Sequence, residues 1–166
     1  MNRKYWLIKS ELSAYSIEDL VRDKRTCWDG VRNYEARNSL RTMQLGDECF
    51  FYHSNCEPAH IAGIAKVVKR AYPDFTAFDA DDPHYDPKSK PQDPTWFMVD
   101  IGLKRSLPRT VSITEMRAEP ALKNMALFTR SRLSVQPVTP DEWDTILLMS
   151  KRKQPRIFAN IRGLGR

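Results

Sequence analysis

No apolar run in this chain approaches the roughly 20 residues needed to cross a bilayer. The first ten residues, MNRKYWLIKS, pass from basic to apolar to Lys9 too quickly for a secretory signal. The expected setting is the cytosol, or the nucleus in a eukaryote, with no membrane partner. Catalytic signatures are also missing. There is no P-loop, no G-x-G-x-x-G, no G-x-S-x-G elbow and no H-E-x-x-H. Their absence favours binding over chemistry. Cysteine is sparse: Cys27, Cys49 and Cys56 form no C-x-x-C pair, so reduced thiols are expected. His53, Cys56 and His60 lie close together, but a structural zinc site wants four ligands and only His84 remains among the histidines. No metal or cofactor is expected. No internal repeat or low-complexity segment stands out.

What is present is a globular composition, 41% hydrophobic and 29% charged over 166 residues, enough for one domain with a real core. The net charge of +6 is local. Lys151, Arg152, Lys153, Arg156, Arg162 and Arg166 stand in residues 151–166 without an acid, so the rest of the chain is neutral. The expected organisation is a domain over 1–150 and a basic tail over 151–166. Such a tail adds salt-sensitive phosphate attraction, serves as a nuclear address, or only solubilises.

Local patterns predict the elements. KYWLIK (4–9) reads as a strand. Ser16 with Asp19 forms a capping box for a short helix, and Asn33 caps another that runs to about Met43. ECFFYHS (48–54) and IAGIAKVVKRAY (61–72) read as strands, the second with a bulge or close approach at Gly63. Residues 73–94, with five prolines, read as a long irregular loop that Phe75, Phe78 and Tyr85 pack in place. TWFMVDIGLKRSL (95–107) is a further strand. Ser112 with Glu115 caps a short helix that Pro120 ends, and a second short helix is expected near 121–126. Residues 131–138 read as irregular or extended. Thr139-Pro140-Asp141-Glu142 opens a helix with Trp143, Ile146 and Leu147 on its core side. Strands and short helices without a βαβ repeat predict an α+β domain, its mostly antiparallel sheet curled into an open barrel with short flanking helices.

The stretch WDGVRNYEARNSLR (28–41) sets a Trp beside a turn glycine, followed by amide and guanidinium donors. This suits a flat, hydrogen-bonding ligand such as a nucleobase. The competing reading is a buried Trp packed on an ordinary basic helix. Lys9-Ser10 and Tyr52-His53-Ser54 end two expected strands, where polar groups commonly form a pocket rim. Arg132 and Ser134 flank Leu133 in a segment that either contacts a ligand or satisfies backbone.

Six stretches together resemble the EVE domain family of the PUA-like superfamily, within it the thymocyte nuclear protein type. They are YWLIKSE (5–11), WDGVRNYEARNSLR (28–41), FYHSN (51–55), AYPDFTAFD (71–79), YDPKS (85–89) and SRLSVQPVT (131–139). The resemblance spans about residues 4–149. It implies a PUA-like fold, shared with the YTH readers of methylated adenine. It also implies recognition of a modified base flipped into an aromatic pocket, chiefly C5-modified cytosine in DNA, or a modified RNA base. Carried over by motif, Lys9, Ser10, Trp28, Asn33, Tyr52, His53, Ser54, Arg132, Leu133 and Ser134 surround one pocket, and Arg32, Arg37 and Lys9 meet phosphates. The expected partner is nucleic acid carrying a modified base, and the expected state a monomer. Leu12 stands where the family has Pro after KSE, and CEPAH (56–60) departs from the family's Pro-Gly loop. The second departure adjoins the pocket and bears on which modification it accepts. A second reading takes the chain as a relative of ASCH-type hydrolases of modified nucleosides, which act through a Lys, a Thr and a Glu. Lys9 and Glu11 are at hand for it, with no Thr evident beside them in sequence.

Overall fold

The structure is a computed structural model and describes residues 3–153. Six strands form one sheet: β1 (Tyr5–Glu11), β2 (Arg25–Cys27), β3 (Glu48–Ser54), β4 (His60–Pro73), β5 (Phe97–Ser112) and β6 (Val135–Val138). Their spatial order is β2-β5-β4-β3-β1-β6, so β2 and β6 are edges and the sheet stays open. Only β1 and β3 run parallel; every other pair is antiparallel. β4 and β5 shift register four times along their shared length, and such bulges are what curl a sheet. The open, mostly antiparallel α+β architecture is as expected. β2 is an addition, because three residues are too few to carry a periodic signal. β5 runs five residues past Leu107.

The helices are α1 (Ile17–Asp23), α2 (Tyr34–Thr42), α3 (Ile113–Ala118), α4 (Ala126–Thr129) and α5 (Pro140–Lys151). The expected caps all form. Ser16, Ser112 and Thr139 each close a capping box, and Asn33 Oδ1 accepts from the Ala36 N–H at 2.9 Å. The basic residues Arg156, Arg162 and Arg166 of the expected tail lie outside the described residues.

Strand alternation gives the sheet two apolar faces, and each is covered. Trp6, Ile8, Cys49 and Phe51 point to one, under Leu20 of α1, Ala36 and Leu40 of α2, and Trp28. Leu7, Phe50 and Tyr52 point to the other, under Met116 of α3, Leu127 of α4, and Trp143 and Ile146 of α5. The core is therefore two layers sharing one sheet.

The loop between β4 and β5 is fixed mainly by polar anchors, where aromatic ones are expected. Of the three aromatics Phe78 is half-buried, but Phe75 and Tyr85 are exposed, whereas Asp74, Thr76 and Ala77 are buried. Asp74 Oδ2 accepts from Gly30 N–H at 2.8 Å and from Arg32 Nη1 at 3.0 Å, and Oδ1 accepts from Thr76 N–H at 2.9 Å. Further on, Trp96 Nε1 donates to Asp86 Oδ2 at 2.7 Å. A buried carboxylate ringed by donors holds a loop more tightly than a ring that still touches water.

Candidate nucleic-acid interface

Three clefts share walls at the C-terminal end of β1 and the 130–134 loop. The first, of about 600 Å³, is lined by Ser10, Tyr15, Thr26, Cys27, Trp28 and Asp29, with Gly30 and His84 at its side. The second, of about 590 Å³, is lined by Tyr52, Ser54, Asn55, Arg117 and Phe128. Lys9, Glu11 and Ser134 belong to both walls. A small third cleft of about 250 Å³ holds Asn33, Arg130, Ser131, Arg132 and Leu133.

The single pocket expected from the sequence is thus divided, and the period of two explains how. Ser10 follows Trp6 and Ile8 to the first face, beside Trp28. Tyr52 and Ser54 follow Phe50 to the other. Lys9 points that way too, its Nζ 5.9 Å from the Tyr52 ring centroid, but it stands next to the edge strand and so walls both clefts.

The first cleft has aromatic walls over a buried ring. Trp28 meets Phe51 edge-on with centroids 5.4 Å apart, and Tyr15 lies tilted against the same ring at 6.5 Å. Trp28 is only 8% exposed, so it is part of the core, as the competing reading expects, and also lines the cleft. Tyr15 is held by its hydroxyl, which donates to Asp23 Oδ2 at 2.9 Å. Ser10 Oγ donates to the Tyr15 carbonyl at 2.8 Å, which leaves its lone pairs for another donor. Burial pushes the Asp29 carboxyl up, and the nearby Asp74 charge adds to this. Burial also pushes the Cys27 thiol up, with Asp29 contributing. Ala14, Cys27 and Val31 supply small apolar surface.

His84 arrives from the long loop. Gly30 has φ +77°, and a Cβ there would lie 2.7 Å from His84 Nε2. Glycine is required on both counts: the backbone turns left-handed, and the imidazole fills the space a side chain would take.

Several expected contacts are committed elsewhere. His53 is buried and lines none of the three clefts. Its Nε2 accepts from Ile17 N–H at 3.2 Å, and Nδ1 lies 3.4 Å from the Ser10 carbonyl. That pairing suits a neutral ring protonated on Nδ1, and burial lowers its pKa accordingly. His53 ties β1, β3 and the start of α1 together.

Arg32 was expected at a phosphate, but its guanidinium is saturated. It donates to Asp74, Thr76, the Val31 carbonyl and twice to the His84 carbonyl, using all five N–H groups. Arg37 binds the Thr95 carbonyl at 3.0 Å and the Asn38 side chain at 2.9 Å, and also pins the loop. Arg32 lines the first cleft and positions its wall, whereas Arg37 ties α2 to the end of the loop. Lys9 Nζ donates to the Ser131 carbonyl at 2.8 Å, and burial lowers its pKa. Arg132 makes no hydrogen bond or ion pair among the described residues and faces the small cleft beside the Asn33 cap. Tyr15, Asp29 and His84 were missed in sequence. Asp29 lies within the WDG turn and was legible there, whereas Tyr15 and His84 carry no local signal.

The sequence and the fold have close counterparts. Human thymocyte nuclear protein 1 is 48% identical over 168 residues, spanning 90% of this chain and 75% of that protein. A hypothetical protein from Leishmania major has a TM-score of 0.88 at 44% identity, covering 93% of this chain and 98% of that one. Human THYN1, solved in complex with DNA containing 5-methylcytosine, has a TM-score of 0.87 at 47% identity, covering 90% and 99%. A YTH domain from Zygosaccharomyces rouxii, solved with N6-methyladenosine RNA, shares the fold at a TM-score of 0.52 and 18% identity, covering 93% and 88%. The EVE domain profile matches residues 4–149, a span that takes in all six strands and the three clefts, and the chain belongs to the EVE domain family.

Proposed function

We propose that the chain is a non-catalytic reader of a modified base in nucleic acid, and that the base is a C5-modified cytosine of DNA flipped into the Trp28 cleft. The observation that carries this is the pair of aromatic walls, Trp28 and Tyr15, braced on one buried ring beside a carboxylate and a hydroxyl. A base stacked there gains about 1–3 kcal/mol. Asp29 accepts from an exocyclic amine, as carboxylates do from cytosine N4. Ala14, Cys27 and Val31 offer the apolar recess a C5 methyl group needs. The human relative solved with 5-methylcytosine DNA supports the same ligand class. Flipping costs a few kcal/mol, so mismatched or single-stranded sites bind better than paired ones. Residues 151–166 add non-specific, salt-dependent attraction to phosphate without choosing the base. The site of action is the cytosol, or the nucleus if the source is eukaryotic.

The test is fluorescence anisotropy with oligonucleotides differing only in cytosine, 5-methylcytosine or 5-hydroxymethylcytosine at one position, at fixed salt. Preference for a modified base, lost in Trp28→Ala and reduced in Asp29→Asn, is the expected result. Equal binding of all three overturns the reading.

One observation favours the hydrolase alternative: Thr26 joins Lys9 and Glu11 in the lining of the first cleft. Against it, Lys9 Nζ is engaged by the Ser131 carbonyl and Glu11 Oε1 by Asn55 Nδ2 at 2.7 Å. Turnover of any acylated nucleoside at high protein concentration, followed by chromatography, would restore it.

A further inference from the structure

The cleft on the opposite face is not used by the reading above, yet it matches the first in size and shares a wall with it. Its lining combines aromatic rings with cations. Lys9 Nζ stands 5.9 Å from the Tyr52 ring centroid, and the Arg117 guanidinium 5.5 Å from that of Phe128. Ser54, Asn55 and Ser131 add hydroxyl and amide groups. Among the described residues neither Lys9 nor Arg117 has a carboxylate partner. The acid in this wall, Glu11, has one oxygen tied to Asn55. Lys9 spends one N–H on Ser131 and keeps two. Lys9 is a half-buried ammonium in no ion pair among the described residues, although Glu11 lines the same two walls, and on the ridge between two clefts it is a place for an anion that belongs to both.

We infer that the second cleft takes the nucleotide next to the modified base on the same strand, with the linking phosphate on Lys9 and the neighbour's base against the Arg117–Phe128 plate. This rests on the reader proposal above. Bases stack on guanidinium planes as well as on aromatic rings, so the plate serves as it stands. The strand then crosses the sheet beside its β6 edge at Lys9 and Ser134, where the backbone closes with the Lys9 N–H donating to the Ser134 carbonyl at 2.9 Å. The unit recognised is a dinucleotide step. The Trp28 side reads the modification, and the Phe128 side supplies stacking that tolerates different bases.

The experiment uses the full chain and single-stranded oligonucleotides with one 5-methylcytosine and an abasic position on its 5′ or its 3′ side. Anisotropy is read for wild type, Phe128→Ala and the exposed Arg117→Gln, with thermal melts to confirm folding. In wild type an abasic neighbour on one side, and not the other, weakens binding about 5- to 20-fold. In Phe128→Ala that penalty disappears, and in Arg117→Gln it shrinks while the slope of log affinity against log salt falls by about one. Preference for methylcytosine survives in both variants. The same penalty in wild type and both variants, or none on either side, overturns the inference. The comparison is repeated on unmodified strands. If methylation preference is absent altogether, the reader proposal fails, and the abasic comparison still decides the neighbour site.

Discussion

The Arg32 guanidinium lies 3.0 Å from Oδ2 of Asp74, a carboxylate with no exposed side-chain surface, 42 residues away in sequence. This pair fastens the long loop to the Trp28 turn and carries His84 to the cleft. Breaking one side leaves the other without its counter-charge. Arg32→Ala or Asp74→Ala should each cost about 3–5 kcal/mol in urea unfolding, and the double variant less than their sum.

The same pair sets an acid limit. Burial pushes Asp74 up, but donors from Thr76, Gly30 and Arg32 outweigh it and hold the carboxyl below its usual range. A depressed folded-state pKa means the stabilisation is complete above the unfolded value of about 3.9 and is lost as pH falls through the folded value. Melting curves of Asp74→Asn should lack that part of the wild-type decline below about pH 4.

His53 governs a milder range. Its neutral ring is favoured by burial, so its contribution is present above the unfolded pKa of about 6.5 and fades as pH falls towards its lower folded value. His53→Gln, which keeps a donor and an acceptor, should flatten the melting-temperature slope below about pH 6.5. An unchanged slope would show that another group carries it.

Gly30→Ala tests the close approach at the cleft wall. A methyl group there collides with His84 and sits on a left-handed backbone. The expected loss is about 1–3 kcal/mol, with displacement of the His84 imidazole resonances in NMR spectra. Weaker binding of a methylcytosine oligonucleotide should accompany it.

Asp29→Asn separates base reading from folding, because the Asp29 carboxylate lines the open side of the cleft and makes no ion pair among the described residues. Replacing a charged acceptor with an amide should weaken binding of modified cytosine by about 1.5–3 kcal/mol and leave the melting temperature nearly unchanged. Equal affinity would move the amine contact to another group of the cleft.

Much of this protein is written locally in its sequence. Ser16 with Asp19, Ser112 with Glu115 and Thr139 with Glu142 cap their helices as expected, because a capping box closes within three residues. The stretch 48–54 forms β3 with its expected limits, and six ordered motifs carry the family. The even spacing of Lys9 and Glu11, and of Tyr52 and Ser54, already decides which side chains share a face of a strand. Which faces become clefts is not local. That requires β1 to pair in parallel with β3, more than 40 residues away, and β6 to cover its other side. It also requires a buried carboxylate at Asp74 to claim Arg32, which by sequence is one more basic residue beside a turn. Capping and alternation depend on neighbours along the chain. Cleft walls, counter-charges and the division of one expected pocket into three depend on contacts that exist only once distant segments have packed.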